Sequence, residues 1–381
     1  MILGIDASNI KSGGGVTHLK ELLGNAKPEK YGFDRVILWS VEETLCQIED
    51  KSWLEKVNYS KFFKSRIYRW YWQKFKLPKL AQNSGCKLLF IPGGSFSGKF
   101  RPFITMSQNL LPFEWGELKR YGLSFHTLRL LLLYFFQGTS FRKSDGIIFL
   151  TKYAKDLISK KLNLKNSNII IPHGINKKFF HNPRKQNILL GKKKRPIELL
   201  YVSFIGAYKH QWNVLEAVSD LNCAGIPIHL SLVGSHNEKA SVNKLFQKIN
   251  HLNSSEKIIS LYPNVSYKKI SEFYLNADLF IFASTCENLP NILIEAMASG
   301  LPILSSKYGP MPEVLDDAGL YCDPLSVEDI KTQLKKLIFS KELRENLSLK
   351  AYKKAKQYSW KRNADITFDF FYKIVKAYKK Y

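Results

Sequence analysis

The residues of this chain whose types and spacing could do chemistry are two glutamates, Glu287 and Glu295, on either side of a predicted helix start. An apolar run at 278–284 before them is typical of a buried strand, Pro290 suits the first helical position, and Gly300 suits the left-handed cap. A helix N-terminus at the carboxyl end of a buried strand favours phosphate, and nearby carboxylates accept hydrogen bonds from sugar hydroxyls. The stretch therefore predicts a pocket for an anionic, hydroxyl-rich ligand such as a nucleotide sugar. The alternative is two ordinary helix glutamates favoured by the helix dipole.

A third candidate, Lys209, lies in the loop after a strand predicted at 198–204. A lysine in this loop can reach a diphosphate that is held by the Glu287 loop. The alternative is an exposed loop lysine without a ligand.

A glycine-rich loop, residues 13–15, follows a strand predicted at 2–6 and precedes a helical pattern. Strand, glycine loop and helix in this order let backbone amides approach a phosphate or a sugar closely. The spacings of the dinucleotide fingerprint and of the Walker loop are absent. The loop is therefore either a ligand contact or a plain tight turn, and His18 is expected to be a helix-face histidine with no ligand role.

The elements that must position these residues form two α/β series, separated by a charged, proline-terminated linker at 191–196. Short apolar strands alternate with helical patterns in each series, which indicates a parallel, doubly wound sheet in each of two domains. The strands of the first series are predicted at 2–6, 36–40, 87–92, 104–107, 145–151 and 168–172. Those of the second are predicted at 198–204, 229–234, 258–262, 279–283, 302–305 and 320–322.

Residues 287–303 carry the pattern Glu-x7-Glu-Ala-Met-Ala-x-Gly-x-Pro-Ile, which resembles the donor-site signature of the retaining glycosyltransferases of family 4, also called glycosyl transferases group 1. The resemblance implies the GT-B fold, with two facing Rossmann-like domains and a cleft between them. It assigns 1–190 to an acceptor-side domain and 197–360 to a nucleotide-sugar-binding domain, with 191–196 as the linker. Residues 361–381 would be a C-terminal helix that crosses back to the first domain.

In the donor site that the resemblance implies, Glu287 faces the donor hexose and Glu295 accepts hydrogen bonds from the ribose hydroxyls. Asn288 and Leu289 offer backbone N–H groups to sugar and phosphate, and Lys209 binds the diphosphate. The implied reaction is hexose transfer with retention at the anomeric carbon. Because the chain has no Asp-x-Asp motif, neither a metal ion nor another cofactor is expected.

The chain departs from the family pattern in two places. Relatives usually carry an Arg shortly before the lysine, whereas residues 203–206 read Ser-Phe-Ile-Gly; His210 is a candidate to assist Lys209 instead. Many relatives also carry a histidine in an acceptor-side loop where this chain has Gln108 and Asn109, which are therefore its acceptor-side candidates. From the same domain, Gly14 and Gly15 are expected to close on the donor.

The chain has 58 Lys and Arg residues against 32 Asp and Glu residues, a net charge of +26, which indicates an anionic partner. Residues 61–76 interleave basic and aromatic side chains, which suits an anionic membrane surface. A solvated helix face and a site for single-stranded nucleic acid are the alternatives. Nucleic acid is not the expected partner, because no nucleic-acid-binding signature accompanies the charge.

The apolar stretch at 123–136 is too short to span a bilayer, and a buried core helix is expected in preference to a helix in the bilayer interface. Five scattered cysteines without a C-x-x-C pair predict buried thiols in a reducing compartment, and the N-terminus has the pattern of a strand rather than of a signal peptide. We therefore expect a cytoplasmic protein, peripheral on the inner face of the plasma membrane. It would use a nucleotide sugar and a lipid-linked oligosaccharide acceptor in surface-polysaccharide synthesis, such as O-antigen assembly. A nucleotide-sugar 2-epimerase of the same fold and a basic nucleic-acid-binding protein are the alternatives.

Overall fold

The computed structural model describes residues 1–11, 13–59, 65–190, 195–236, 238–252, 258–267 and 269–378. The chain divides into two compact units. The first contains Met1–Leu118, Gly122–Gly174 and Tyr358–Tyr381, and the second contains Lys119–Tyr121 and Ile175–Gln357. Each unit is a parallel α/β structure, as the alternation of strand and helix patterns predicted.

The sheet of the first unit has seven strands: β1 (Ile2–Asp6), β2 (Arg35–Ser40), β3 (Leu54–Asn58), β4 (Cys86–Ile91), β5 (Phe103–Met106), β6 (Gly146–Phe149) and β7 (Ser167–Ile170). All neighbouring strands are parallel, in the order β3-β2-β1-β4-β5-β6-β7. The strand order reverses between β1 and β4. The loops that follow these two strands therefore diverge, and they leave a crevice at the carboxyl edge of the sheet.

Seven helices of the first unit precede Ile175 in the described part of the chain. They are α1 (Gly14–Asn25), α2 (Glu42–Leu45), α3 (Arg66–Tyr71), α4 (Leu77–Asn83), α5 (Trp115–Leu118), α6 (Phe125–Lys143) and α7 (Lys152–Leu162). A π-helical stretch, Trp72–Lys76, joins α3 to α4. Short 3-10 helices occur at Pro28–Tyr31, Leu111–Phe113, Lys119–Tyr121, Lys177–Phe179 and Asp316–Ala318.

The sheet of the second unit has six strands: β8 (Ile197–Val202), β9 (Ile228–Val233), β10 (Ile259–Tyr262), β11 (Leu279–Phe282), β12 (Ile303–Ser306) and β13 (Leu320–Cys322). They are parallel, in the order β10-β9-β8-β11-β12-β13. The helices are α8 (Gln211–Cys223), α9 (Lys239–His251), α10 (Ile270–Asn276), α11 (Asn291–Ala298), α12 (Met311–Leu315), α13 (Val327–Phe339) and α14 (Lys341–Ala355). Here the strand order reverses between β8 and β11, so the loops after these two strands flank the crevice of this sheet.

The last helix, α15 (Trp360–Tyr378), belongs to the first unit. Its Phe371 ring lies 4.9 Å from the ring of Phe90 on β4, and its Phe368 ring lies 6.1 Å from that of Phe33. Apolar side chains at helical spacing therefore fix α15 against the core of the first unit.

Residues 175–190 belong to the second unit, whereas the sequence-based division placed them in the first. The reason is that this segment pairs with the end of α11: the His181 amide donates to the Ala298 carbonyl at 3.0 Å. Gly300 has a φ of +65°, and a Cβ there would lie 2.7 Å from the Cα of Pro183. Such backbone contacts between distant segments leave no signal in local composition.

Some local features also differ from the sequence pattern. The pattern missed β3, a half-buried edge strand whose charged residues Glu55 and Lys56 obscure the alternation. Pro290 is the N-cap residue of α11, not its first helical residue, whereas Gly300 has the predicted left-handed conformation. Residues 191–194 of the predicted linker lie outside the described residues.

The interpretation of residues 123–136 as a buried core helix is wrong for the first part of α6. Phe125 is 92% exposed, Leu128 is 53% exposed and Phe136 is 51% exposed, while the buried residues include Gln137 and Phe141 near the end of the helix. No helix within the described ranges combines the length and apolarity needed to cross a membrane. The exposed apolar side chains of α6 therefore form a surface of the first unit.

The basic and aromatic run lies on α3 and the π-helical stretch, although residues 61–64 of it fall outside the described residues. Trp72 is fully buried. Large apolar side chains on the same run are exposed, namely Ile67, Tyr68, Trp70, Tyr71 and Phe75. The Lys74 ammonium lies 4.6 Å from the ring centre of Trp70, so cations and aromatic rings share one exposed surface.

Candidate active site

The Glu287 loop connects β11 to α11 at the crevice of the second sheet. All four residues of β11 are buried, and so are Ser284, Thr285 and Cys286 after it. The Ser284 hydroxyl donates to the Cys286 carbonyl at 3.2 Å, which fixes the start of the loop. The strand and the loop thus hold Glu287 just ahead of a helix N-terminus.

Lys209 lies in the loop between β8 and α8, and its ammonium forms an ion pair with Glu287 Oε1. The rings of Phe204, Tyr208 and Phe282 surround the ammonium, with centres 5.0–5.3 Å from Nζ. Lys209 is only 3% exposed, so it is not an exposed loop lysine. Because a buried cation needs compensation, the carboxylate and the ring faces together keep a positive charge in this crevice.

Backbone and side-chain bonds tie the two loops together. The Thr285 amide donates to the Tyr208 carbonyl at 2.9 Å, and the Tyr201 hydroxyl donates to the Lys209 carbonyl at 2.6 Å. These bonds place Lys209 and Glu287 independently of their own ion pair.

His210 does not supply a second positive charge at neutral pH. Burial, together with the nearby charges of Arg120 and Lys244, lowers its pKa to about 4. Its Nε2 atom lies 3.1 Å from the Thr285 hydroxyl oxygen. The histidine therefore joins the two loops as a neutral ring and adds no positive charge to that of Lys209. That His210 assists Lys209 in another way stays a prediction.

A carboxylate that the sequence pattern did not single out, Glu238, lies beside the segment that lacks the Arg. Glu238 Oε1 accepts hydrogen bonds from the Ala207 amide at 3.2 Å and from the Ser241 hydroxyl at 2.7 Å. Glu238 shapes the loop ahead of Lys209. No signal in the sequence pointed to it, because it precedes α9, two elements further along the chain.

Glu295 lies on α11 and is 5% exposed, so it is not a solvated helix glutamate. Its Oε2 accepts a hydrogen bond from the Tyr274 hydroxyl at 3.0 Å, and its Oε1 accepts one from Tyr267 at 3.3 Å. Burial raises the pKa of Glu295 to about 7, although the two hydroxyls and the charge of Lys178 partly oppose that rise. The tyrosines, which lie in and near α10, orient a carboxyl group that is poised between its two protonation states.

We expect the stability of the chain to record this shift. Between the ordinary glutamate pKa and 7 the folded chain keeps a proton that the unfolded chain releases, so the free energy of unfolding falls as pH rises. From pH 5 to pH 8, wild type should lose about 3 kcal/mol more than Glu295→Gln does in urea titrations. The matched change at an exposed glutamate of α10, Glu272→Gln, should show the same dependence of unfolding free energy on pH as wild type. If the unfolding free energies of wild type and Glu295→Gln changed with pH in the same way, burial would not raise the pKa of Glu295.

The remaining donor-site candidates lie in the same loop. Asn288 is 7% exposed and Leu289 is 8% exposed, so their side chains face the protein. A third loop, after β12, approaches them through Gly309, whose φ is +59°. A Cβ at Gly309 would lie 3.7 Å from the Thr285 carbonyl oxygen and 4.0 Å from the Glu287 nitrogen. The sequence pattern missed Gly309, although a glycine four residues beyond the strand predicted at 302–305 was a usable signal.

In the first unit, Gly15 and Gln108 come together at the carboxyl edge of the sheet. A Cβ at Gly15 would lie 3.3 Å from Gln108 Oε1, and Gln108 Nε2 lies 3.5 Å from His18 Nδ1. Gly14 is exposed, with open space beside it. Asn109 is placed differently, because its Oδ1 accepts from the Leu111 amide at 3.1 Å and so shapes the following turn. The structure thus brings three of the four candidates of this unit into one region.

His18 and His173 are both buried in a stack of rings. His18 lies 4.9 Å from His173, which in turn lies 5.3 Å from Trp360. Burial, followed by the charge of His173, lowers the pKa of His18 well below its ordinary value. Both histidines therefore pack against aromatic rings in the first unit, and the expectation that His18 has no ligand role stays a prediction.

No group of three side chains suited to hold a metal ion occurs among the residues that the structure describes. The charged partners in the crevice of the second unit are instead an ammonium and carboxylates.

The comparison with solved structures defines the fold class. Sucrose-phosphate synthase from Thermosynechococcus elongatus matches with a TM-score of 0.76 and 14% identity, over 99% of this chain and all of that chain. The chain has the GT-B fold, with two Rossmann-like units, as the sequence resemblance implied.

The sequence comparison shows what the chain is similar to. Residues 184–354 match the family model described as glycosyl transferases group 1. An uncharacterized glycosyltransferase of Methanocaldococcus jannaschii is 26% identical over 60% of this chain and 59% of its own length. The amylovoran biosynthesis glycosyltransferase AmsD of Erwinia amylovora is 30% identical over 58% of each chain. The chain thus spans less than two thirds of the length of these relatives. The predicted resemblance to glycosyl transferases group 1 is confirmed, and the matched residues include Lys209, Glu287 and Glu295.

Proposed function

We propose that the chain is a glycosyltransferase that moves a hexose from a nucleotide-diphosphate sugar to a saccharide acceptor, with retention and without a metal ion. One observation carries the proposal: the ion pair of Lys209 and Glu287 at the crevice of the second sheet, inside the residues that match the family model. This pair sets a cation for a diphosphate beside a carboxylate for a sugar. Both groups are held by buried loops, as electrostatic stabilisation of a transition state requires.

In the proposed reaction the bond between the anomeric carbon and the diphosphate oxygen breaks, and negative charge develops on the leaving group. Lys209 and the positive end of the α11 helix dipole stabilise that charge. Asn288 and Leu289 contribute backbone N–H groups towards sugar and phosphate. Since His210 is neutral, Lys209 supplies the cation of this loop that pairs with the diphosphate.

Glu287 is assigned to the hexose and Glu295 to the ribose. A carboxylate can accept about four hydrogen bonds. Two tyrosine hydroxyls already donate to Glu295, so acceptor capacity remains for a hydroxyl pair.

Ribose hydroxyls that donate to Glu295 favour its ionised form, so a nucleoside diphosphate should bind more tightly as pH rises from 5.5 to 7.5.

We assign the first unit to the acceptor. Gln108, beside Gly15, can donate or accept hydrogen bonds with acceptor hydroxyl groups, while Gly14 and Gly15 keep their predicted role of closing on the donor, for which Gly14 leaves an open backbone surface. The setting that the charge and the resemblance favour is surface-polysaccharide assembly on a lipid-linked acceptor. The relative from Erwinia amylovora, a glycosyltransferase of amylovoran biosynthesis, supports such a setting.

The exposed cations and rings of residues 67–76 support peripheral binding to an anionic bilayer. Each Lys near such a surface contributes about 1 kcal/mol, so Lys74→Glu with Lys76→Glu should lower partitioning onto phosphatidylglycerol vesicles at least ~10-fold. Flotation with vesicles of stated lipid content measures this. The reversal of two exposed lysines on α13, Lys335→Glu with Lys336→Glu, has the same effect on net charge and should change partitioning far less. Equal losses for the two pairs would show that net charge, and not this surface, drives the attraction.

The proposed activity is tested by product analysis. The full chain is incubated in EDTA with radiolabelled UDP-, GDP- or dTDP-hexoses and a bacterial glycolipid extract. We expect label in the glycolipid fraction and the donor's anomeric configuration in the product. Epimerised nucleotide sugar without transfer would support the 2-epimerase alternative and contradict the proposal.

A further inference from the structure

A groove of about 640 Å³ lies within the first unit, lined by α3, the π-helical stretch, α6 and the loops after β1 and β4. Its volume is in the range of sites that enclose one small molecule. One wall is apolar, formed by Trp70, Phe125, Leu128, Leu132 and Phe136 among others. These side chains are between 39% and 92% exposed, so the groove leaves a continuous apolar wall in contact with water. Contiguous exposed apolar surface of this kind marks a binding site.

The other end of the groove is polar. Asn9 follows β1, and its amide donates to the carbonyl of Gly93, which follows β4, at 3.1 Å. This end therefore lies at the point where the strand order of the first sheet reverses, the usual ligand position of such sheets. Gln73 also lines it, and Gln73 Nε2 donates to the fully buried carboxyl group of Asp6 at 2.5 Å. The polar end is thus anchored on β1, an inner strand of the sheet, and not on a surface loop alone.

The charge of the groove is one-sided. Two of the side chains that line it, Arg69 and Arg129, carry positive charge, and no acidic side chain lines it among the described residues. Burial raises the pKa of Asp6, the carboxyl group that Gln73 contacts, and the charge of Arg69 partly opposes that rise. A ligand that combines an anionic head with a hydrocarbon chain complements both ends at once.

We propose that this groove binds a single lipid chain with a phosphate headgroup, the chain lying along Trp70, Leu132 and Phe136 and the phosphate facing Arg69 and Arg129. Naming this lipid as the carrier of the acceptor saccharide rests on the glycosyltransferase function proposed above. The groove then sets the saccharide at the carboxyl edge of the first sheet, where Gly15 and Gln108 meet. A free lipid phosphate of the membrane has the same chemistry, and the transfer experiment below separates the two sources.

Binding of farnesyl diphosphate, geranyl diphosphate and inorganic diphosphate to the full chain, measured by calorimetry, tests the groove. Each buried methylene strengthens binding about four-fold, so farnesyl diphosphate should bind at least ~10-fold more tightly than geranyl diphosphate. Phe136→Ser should lower the affinity for farnesyl diphosphate about ten-fold. The neighbouring Phe135, which is 65% exposed and does not line the groove, is the matched control, and Phe135→Ser should bind as wild type does. Arg129→Gln should lower the affinity for farnesyl diphosphate but not the affinity for farnesol.

The proposal that the groove binds a lipid would be overturned by equal losses of farnesyl diphosphate affinity in Phe135→Ser and Phe136→Ser. Equal affinity of wild type for inorganic and farnesyl diphosphate would also overturn it. Thermal unfolding of both serine variants shows whether either has failed to fold; Leu132→Ser then serves as the second groove variant. Failure of nucleotide sugars to bind wild type would contradict the proposed function while the farnesyl diphosphate result still stood. In transfer assays, Phe136→Ser should lose activity on a farnesyl-linked saccharide and keep it on the free saccharide. Full activity on both would make the lipid a membrane ligand rather than the acceptor carrier, and equal loss on both would overturn the assignment of the groove to the acceptor's lipid chain.

Discussion

Lys209→Met should lower kcat/KM for hexose transfer about 10²–10³-fold, because it removes a preorganised cation from the position where the leaving diphosphate gains charge. Methionine keeps much of the length of the side chain and its contacts with the three surrounding rings. The loss is therefore one of charge and hydrogen bonding. Transfer rates at subsaturating donor measure the effect, and the exposed lysine Lys353 of α14 provides the control Lys353→Met, which should behave as wild type.

The same substitution also affects stability. It leaves Glu287, whose side chain is 16% exposed, without its ammonium partner, and an unpaired, largely buried carboxylate costs about 3 kcal/mol. Adding Glu287→Gln to Lys209→Met removes the unpaired charge, so the double variant should recover stability without recovering transfer. If transfer returned together with stability, Lys209 would be a structural residue only.

Glu287→Gln should have the second large effect, a fall of about 10³-fold in kcat. It should also cost about 3 kcal/mol of stability, because it leaves the buried Lys209 ammonium without its carboxylate partner. The transition state of glycosyl transfer carries positive charge on the sugar ring, as in glycoside hydrolysis, and a carboxylate beside the ring stabilises it where an amide does not. Single-turnover transfer rates report this step. Glu313→Gln on α12 is a control of the same chemistry elsewhere in the unit, and it should transfer at a rate close to wild type.

The two variants should also separate in a binding assay with the nucleoside diphosphate alone. Lys209→Met should lower the affinity for the nucleoside diphosphate about 30-fold, because a charge-assisted contact to phosphate contributes about 2 kcal/mol. Glu287→Gln should bind it as well as wild type or better, since it frees the ammonium from its present partner. The reverse pattern would exchange the roles assigned to phosphate and sugar.

The central pair could be predicted from the sequence because each member follows a strand that is strongly apolar. The positions of Lys209 and Glu287 after β8 and β11 follow from the patterns at 198–204 and 279–283, and the parallel order then brings the loops together. The glycine loop and Gln108 likewise follow β1 and β5, and they meet at Gly15. Local patterns therefore predicted which loops converge.

What could not be predicted depends on packing between distant segments. Tyr267 and Tyr274 raise no local signal, yet they hold Glu295, whose elevated pKa results from burial that only the folded unit produces. Whether His210 is charged was equally undetermined, because its pKa depends on its burial and on side chains far along the chain. The exposed face of α6 was misinterpreted for a related reason, since apolar content alone does not show what covers a helix.

The most direct test is a calorimetric titration of the full chain with UDP-, GDP- and dTDP-hexoses in EDTA, in parallel with Lys209→Met. At least one donor should bind wild type without added metal and bind Lys209→Met at least ~10-fold more weakly. If no nucleotide sugar bound wild type, or if the one that did bound Lys209→Met equally well, the crevice of the second sheet would not be the donor site.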